Sequence, residues 1–123
     1  MSNVVVTGSS GDLGRWVVGA LARAGWRVTC LDHARPEREL PGGVTAIETD
    51  LTDAGETLEA TLAADPDAVV HLAAVGPEYY APSRVYENNT LAAYHALTAA
   101  GEAGADVVWT SSESVYGWVF AHE

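Results

Sequence analysis

Short apolar runs alternate with stretches of helical spacing along the whole chain. Strands are predicted at 4–7, 27–32, 44–48, 68–72 and 107–111, each rich in Val, Ile or Leu and apolar on both faces, as parallel strands covered by helices are. Between them the spacing predicts three helices. The first covers 13–24 and stops at Gly25; the second covers 54–63, with Asp53 or Thr52 as N-cap; the third covers 83–100 and ends before Gly101 and Gly104. Residues 33–43, with two prolines and mixed charges, read as a connection containing a short turn of helix. No repeat, low-complexity tract or linker marks a second domain. Right-handed crossovers arrange these elements as an α/β fold, an open, doubly wound parallel sheet of order 3-2-1-4-5. Its ligand crevice lies outside the strand C-termini where the order reverses.

The polar and glycine residues collect at that edge. Thr7-Gly8-Ser9-Ser10-Gly11-Asp12-Leu13-Gly14 follows the apolar run Val4-Val5-Val6 and opens the first helix. Such a loop cradles a dinucleotide: Gly8 allows the tight turn, Gly11 lets backbone approach a pyrophosphate, and Gly14 lets the helix pack closely on its strand. The free N–H groups and positive dipole end of the helix face the phosphates. Eighteen residues after Gly14 the second strand ends in Asp32, whose carboxylate can accept hydrogen bonds from both hydroxyls of an adenosine ribose. Asp50, Ala73-Ala74 and Ser111-Ser112 follow the third, fourth and fifth strands.

Composition narrows the partners. With 123 residues, 48% of them hydrophobic, the chain has material for one domain with a real core. No apolar stretch has membrane-spanning length, and Met1-Ser2-Asn3 leads into a strand without a basic region or cleavage site, so a soluble, unexported, cytoplasmic protein is expected. Cys30, the single cysteine, lies in an apolar strand where a buried thiol is expected. The four histidines, His33, His71, His95 and His122, are scattered, and no metal site is expected. The net charge is −11 and all six basic residues are arginines. An acidic surface of this kind repels nucleic acid and anionic lipid, and it fits a salt-loving source.

Taken together, Thr7-Gly8-x-x-Gly11-x-x-Gly14, Asp32, Asp50-Leu51, His71-Leu72-Ala73-Ala74, Tyr86-Glu87-Asn88-Asn89 and Ser111-Ser112-Glu113-Ser114-Val115-Tyr116-Gly117 resemble the NAD-dependent epimerase/dehydratase family of the extended short-chain dehydrogenase/reductase superfamily. The resemblance covers essentially the whole chain and implies a Rossmann-type domain over 1–123. It implies that Gly8, Ser10, Gly11, Asp12, Leu13 and Gly14 hold the cofactor diphosphate and Asp32 the adenosine ribose. Asp50 holds the adenine amino group, with a backbone contact from Leu51. Leu72, Ala73 and Ala74 lie along the ribose and nicotinamide. Asn89, or Asn88 if the register is one off, steadies the backbone at the active site. By the same resemblance Ser111, at the strand end, belongs with the cofactor-binding residues, and Ser112 is the catalytic serine whose hydroxyl holds the reacting oxygen of the substrate. Where the family has Gly-Thr this chain has Ala92-Ala93. Tyr116 corresponds to a substrate-loop residue. The family's catalytic Tyr-x-x-x-Lys pair lies some two dozen residues further on.

No lysine occurs in the sequence. The chain therefore reads as an N-terminal, NAD-binding portion of an enzyme acting by hydride transfer on a nucleotide sugar or related hydroxyl substrate, truncated ahead of the catalytic pair and without a substrate lobe. The alternative is a non-catalytic dinucleotide-sensing module or an inactive product. NAD is expected over NADP because Asp32 would repel a 2′-phosphate, although Arg35 and Arg38 stand close by. Trp109, Trp118, Val119 and Phe120 are expected to lack cover, which predicts self-association or a homodimer. The charge carries its own test: the folded fraction should rise between low and molar salt as self-repulsion is screened, and a folded fraction independent of salt would remove the halophilic reading.

Overall fold

Alternation along Val4-Val5-Val6 sends side chains to opposite faces of a strand, so a strand apolar at every position must be covered on both sides. A computed structural model, which describes residues 2–37 and 39–112, shows that arrangement at the centre of a five-stranded parallel sheet. The elements are β1 (Asn3–Thr7), α1 (Asp12–Arg23), β2 (Arg27–Asp32), β3 (Val44–Glu48), α2 (Ala54–Ala63), β4 (Ala68–His71), α3 (Pro82–Ala103) and β5 (Asp106–Trp109). The strand order is β3-β2-β1-β4-β5, as the crossover rule predicts. Thr7 lies level with Leu31 on one side and His71 on the other, so the three central strands end together.

Two apolar layers hold the sheet. Val4, Val6, Val28 and Cys30 pack with Val18 of α1 on one face. Val5, Leu31 and Val69 pack with Leu51, Ala60, Ala92 and Ala100 on the other, under α2 and α3. Each fully buried Val or Leu contributes roughly 1.5–3 kcal/mol relative to exposure. The alanines at 92, 96, 99 and 100 form the buried stripe of α3. Their small side chains allow close approach, and Ala92, at 2% exposure, fits the core without the glycine the family pattern would place there.

The elements depart from expectation at their ends. Gly101 does not stop α3, which runs to Ala103 and closes on Gly104, the residue that adopts the left-handed conformation (φ 68°). The amide of Ala105 then bonds the carbonyl of Ala100 at 3.0 Å, satisfying a helix-end acceptor. Pro82 rather than Ser83 begins α3, where its missing N–H costs no helical bond. Cover on both faces holds for β1 and β2 but not for the edges. The β2–β3 connection carries no α-helix among the described residues, and all four residues of β5 are exposed, Trp109 at 58%. Trp118, Val119 and Phe120 lie outside the described residues.

Two glycines are demanded by the fold itself. Gly8 turns with φ 67°, and a Cβ there would stand 2.7 Å from the backbone of Ala73. A Cβ on Gly14 would fall on the carbonyl oxygen of Gly8 and 2.8 Å from Cα of Ser9. At Gly11 an added Cβ meets only the Gly8 carbonyl oxygen, at an ordinary 3.4 Å. Gly14→Ala is therefore expected to destabilise the protein by about 3 kcal/mol in urea unfolding and Gly11→Ala by less than about 1 kcal/mol. Equal losses would refute this separation of roles.

Candidate nucleotide-binding site

The loop after β1 is set by backbone hydrogen bonds. The Gly8 amide donates to the Leu31 carbonyl at 3.1 Å, and the Gly11 amide donates back to the Gly8 carbonyl at 3.2 Å. No side chain caps α1, so its first-turn N–H groups have no side-chain acceptor at the point where the helix dipole is positive. Asp12 turns aside to pair with Arg15 on the surface.

Asp32, only 7% exposed at the end of β2, ties this loop to the next strand. Its Oδ2 accepts the Ser10 amide at 2.9 Å. Its Oδ1 accepts the His33 amide at 2.7 Å and lies 2.8 Å from His33 Nδ1. The carboxylate thus keeps acceptor capacity at the cavity wall while its orientation is fixed from two sides. Ser10 Oγ donates to the Ala34 carbonyl at 3.3 Å.

After β3 the chain makes a turn around Asp50. Its Oδ1 accepts the Thr52 hydroxyl at 2.6 Å and the Thr52 amide at 2.9 Å, and these two bonds hold the carboxyl below its usual range. Asp53 caps α2 by accepting the Glu56 amide at 2.8 Å, while the Glu56 carboxylate accepts the Asp50 amide, also at 2.8 Å. The Asp53-x-x-Glu56 spacing is that of a capping box, with the reciprocal bond moved to Asp50. The Leu51 carbonyl lies 2.9 Å from His95 Nδ1 of α3, a role for His95 that spacing alone did not disclose.

The β4 end is organised by Thr7. Its Oγ1 accepts the amides of Leu72 at 3.2 Å and Ala73 at 3.3 Å and lies 2.7 Å from His71 Nδ1. The Leu72 amide is shared with the Thr7 carbonyl, at 3.3 Å, and the direction of the Thr7–His71 bond follows the tautomer of the imidazole. Burial, at 3% exposure, pushes the His71 pKa down. Beyond it, Asn89 of α3 grips Val75 twice: Oδ1 accepts the Val75 amide at 2.8 Å and Nδ2 donates to its carbonyl at 3.0 Å. Asn89 holds backbone, and its neighbour Asn88 is the asparagine that lines the cavity.

These segments enclose a cavity of about 990 Å³, at the upper end of small-molecule sites. It is lined by Gly8, Ser10, Gly11, Asp32, Asp50 and Leu51, and on the β4 side by Leu72, Ala73 and Ala74. Thus, with Asn88, the structure brings together ten of the residues assigned a site role in the sequence. Asp12, Leu13 and Gly14 support the loop without lining the cavity, and Ser111 and Ser112 are exposed beyond the end of β5. Arg84 and Tyr80 line it, although no motif marked them. Cys30 is buried, and burial pushes its thiol up, with the Ser9 side chain acting in the opposite sense. Among the described residues no group of three His, Cys, Asp or Glu could hold a metal ion.

The family model described as NAD dependent epimerase/dehydratase family matches residues 4–122. The chain belongs to that family. It is 36% identical over 121 residues to a UDP-glucose 4-epimerase of Azospirillum brasilense, covering 93% of this chain and 34% of the relative. Among solved structures, the Bordetella bronchiseptica enzyme WbmG in complex with NAD superposes with a TM-score of 0.84 at 25% identity, over 94% of this chain and 39% of that one. A UDP-glucose 4-epimerase of Thermus thermophilus in complex with NAD gives 0.79 at 28% identity, over 89% and 37%. The chain thus spans about a third of the length of the curated relative it matches.

His71 gives this family member a pH signature. Its folded pKa is depressed, so below about pH 6.5 the unfolded chain takes up a proton that the native state refuses, and stability falls as pH falls. The melting temperature should decline between about pH 7 and pH 5 more steeply in the parent than in His71→Asn. Parallel profiles would show that His71 does not titrate on unfolding.

Proposed function

We propose that this chain is the NAD-binding portion of an NAD-dependent epimerase, dehydratase or dehydrogenase acting on a nucleotide sugar or a related hydroxyl substrate. The observation that carries the reading is the coupling of an uncapped helix N-terminus to a buried carboxylate through the Ser10–Asp32 hydrogen bond. Gly11 supports it independently, because the protein itself does not require a glycine at that position. Its hydrogen therefore faces space that a ligand would need.

In this reading, the amides of the 8–14 loop bind the diphosphate and Asp32 binds the adenosine hydroxyls. Asp50 and Leu51 bound the adenine, with Leu51 held by His95 and Asp50 kept ionised by Thr52. Leu72, Ala73 and Ala74 bound the nicotinamide half, on backbone fixed by Thr7 and Asn89. NAD, when bound, supplies a hydride acceptor. Ser111 is assigned to the cofactor side and Ser112 to the substrate side, with the Ser112 hydroxyl orienting the reacting oxygen. No proton transfer is assigned to these residues, since the sequence contains no lysine to pair with a tyrosine base.

NAD rather than NADP is favoured by Asp32 and by Glu48, which lies level with it on β3 and also lines the cavity. A 2′-phosphate there would meet two carboxylates. Arg35 is near in sequence but does not line the cavity. No described helix is long and apolar enough to cross a membrane. A cytoplasmic setting belongs to this reading; the net charge of −11 argues against nucleic-acid partners, and exposed Trp109 supports self-association.

Calorimetry on the full chain tests the reading. NAD should bind more tightly than NADP, and Asp32→Ala should weaken NAD about tenfold or more while narrowing the gap between the two. No heat with either nucleotide, or unchanged affinity in Asp32→Ala, would overturn it.

A further inference from the structure

A dinucleotide brings two phosphate charges into a cavity whose walls are acidic. Asp32, Glu48, Asp50, Glu56 and Glu87 all line it. The α1 dipole offers only about half a positive charge against them. One permanent cation shares the cavity: Arg84, in the first turn of α3, is the only arginine lining it among the described residues.

Arg84 has no carboxylate partner among the described residues, although Glu87 follows one turn later on the same helix. That is unexpected in a chain with 17 acidic and six basic side chains, where Arg15 at the mouth of α1 does find Asp12. The contact Arg84 does make is with an aromatic face. Its guanidinium carbon lies 5.9 Å from the centroid of the Tyr80 ring. A cation–π contact does not consume the guanidinium N–H donors, and a guanidinium can bind an anion through two parallel hydrogen bonds. A 2′-phosphate is the weaker candidate anion, because its place is beside Asp32 and Glu48.

We propose that Arg84, steadied by Tyr80, binds the diphosphate of the cofactor from the α3 side of the cavity and supplies the positive charge that the acidic walls withhold. The proposal rests on the cofactor reading above and adds to it a residue that the glycine motif does not contain. Glu87, on the same helix and lining the same cavity, opposes this attraction.

The test is calorimetry on the full chain with NAD, ADP and adenosine at low and high salt, comparing the parent with Arg84→Gln, Arg84→Lys and Glu87→Gln. Arg84 is exposed, so the variants should melt as the parent does. Arg84→Gln should weaken NAD and ADP about tenfold or more, leave adenosine unchanged and flatten the salt dependence. Arg84→Lys should recover part of the loss, and Glu87→Gln should tighten NAD and ADP. Unchanged NAD affinity in Arg84→Gln, or an equal loss for adenosine, would overturn the role of Arg84 while leaving the cofactor reading intact. Failure of the parent to bind any of the three ligands would instead overturn the cofactor reading, and this proposal with it.

Discussion

Thr7 is the point at which sheet and site become one structure. Its hydroxyl accepts two amides from the chain leaving β4 and shares a hydrogen bond with His71, while the next residue, Gly8, turns so closely against Ala73 that no Cβ fits. The ends of β1 and β4 are therefore locked together where the order of the sheet reverses. A crevice opens at such a reversal because adjacent crossovers leave the strand ends on opposite sides. In this chain its floor is backbone pinned by one buried hydroxyl. Distortion at Thr7 would reach the glycine loop and the Leu72–Ala73 amides directly, and the Asn89-held turn at Val75 through the backbone that follows Ala73.

The second constraint is electrostatic, and it acts against binding an anion. Five carboxylates line a cavity proposed to hold two phosphates, in a chain of net charge −11. Attraction has to come from groups placed close by, since the chain's charge balance offers no distant positive surface. The uncapped amides of α1 do this with partial charges, which need no counter-ion and cost little to desolvate. Asp32 is compatible with them because its hydrogen bond to the Ser10 amide and its contact with His33 spread its charge onto donors instead of directing it across the cavity. The same carboxylate that would repel a 2′-phosphate thus also orders the loop proposed to receive the diphosphate.

What the sequence disclosed follows from the range of the forces involved. Strand positions, sheet order, the glycine turn and the acid after β2 were legible because each depends on local pattern or on crossover handedness. The cover of β3 and β5 was not, since a Val/Ile-rich run looks the same in the middle of a sheet and at its edge. Gly101 read as a stop because glycine is a poor helix former, yet the C-cap geometry was satisfied at Gly104 instead, with the Ala105 amide closing the helix. The roles of His95, Glu56 and Asn88 depend on contacts between segments far apart or on which side of a helix faces inward. Thr7 stood inside the motif that was read, and only its partners His71, Leu72 and Ala73, 64 to 66 residues away, give it a task.

The three glycines of the loop show how a ligand requirement can be separated from a folding requirement. Gly8 and Gly14 are forced by neighbouring backbone, at Ala73 and at the Gly8 carbonyl, so their presence says only that β1 and α1 meet in this way. Gly11 is not forced, since its backbone is extended and a Cβ would make ordinary contact. A residue free to carry a side chain, placed at the N-terminus of an uncapped helix and lining the cavity, is where the proposed diphosphate would account for a glycine that the fold does not. The argument for a bound diphosphate is therefore stronger at the glycine the fold does not need than at the two it does.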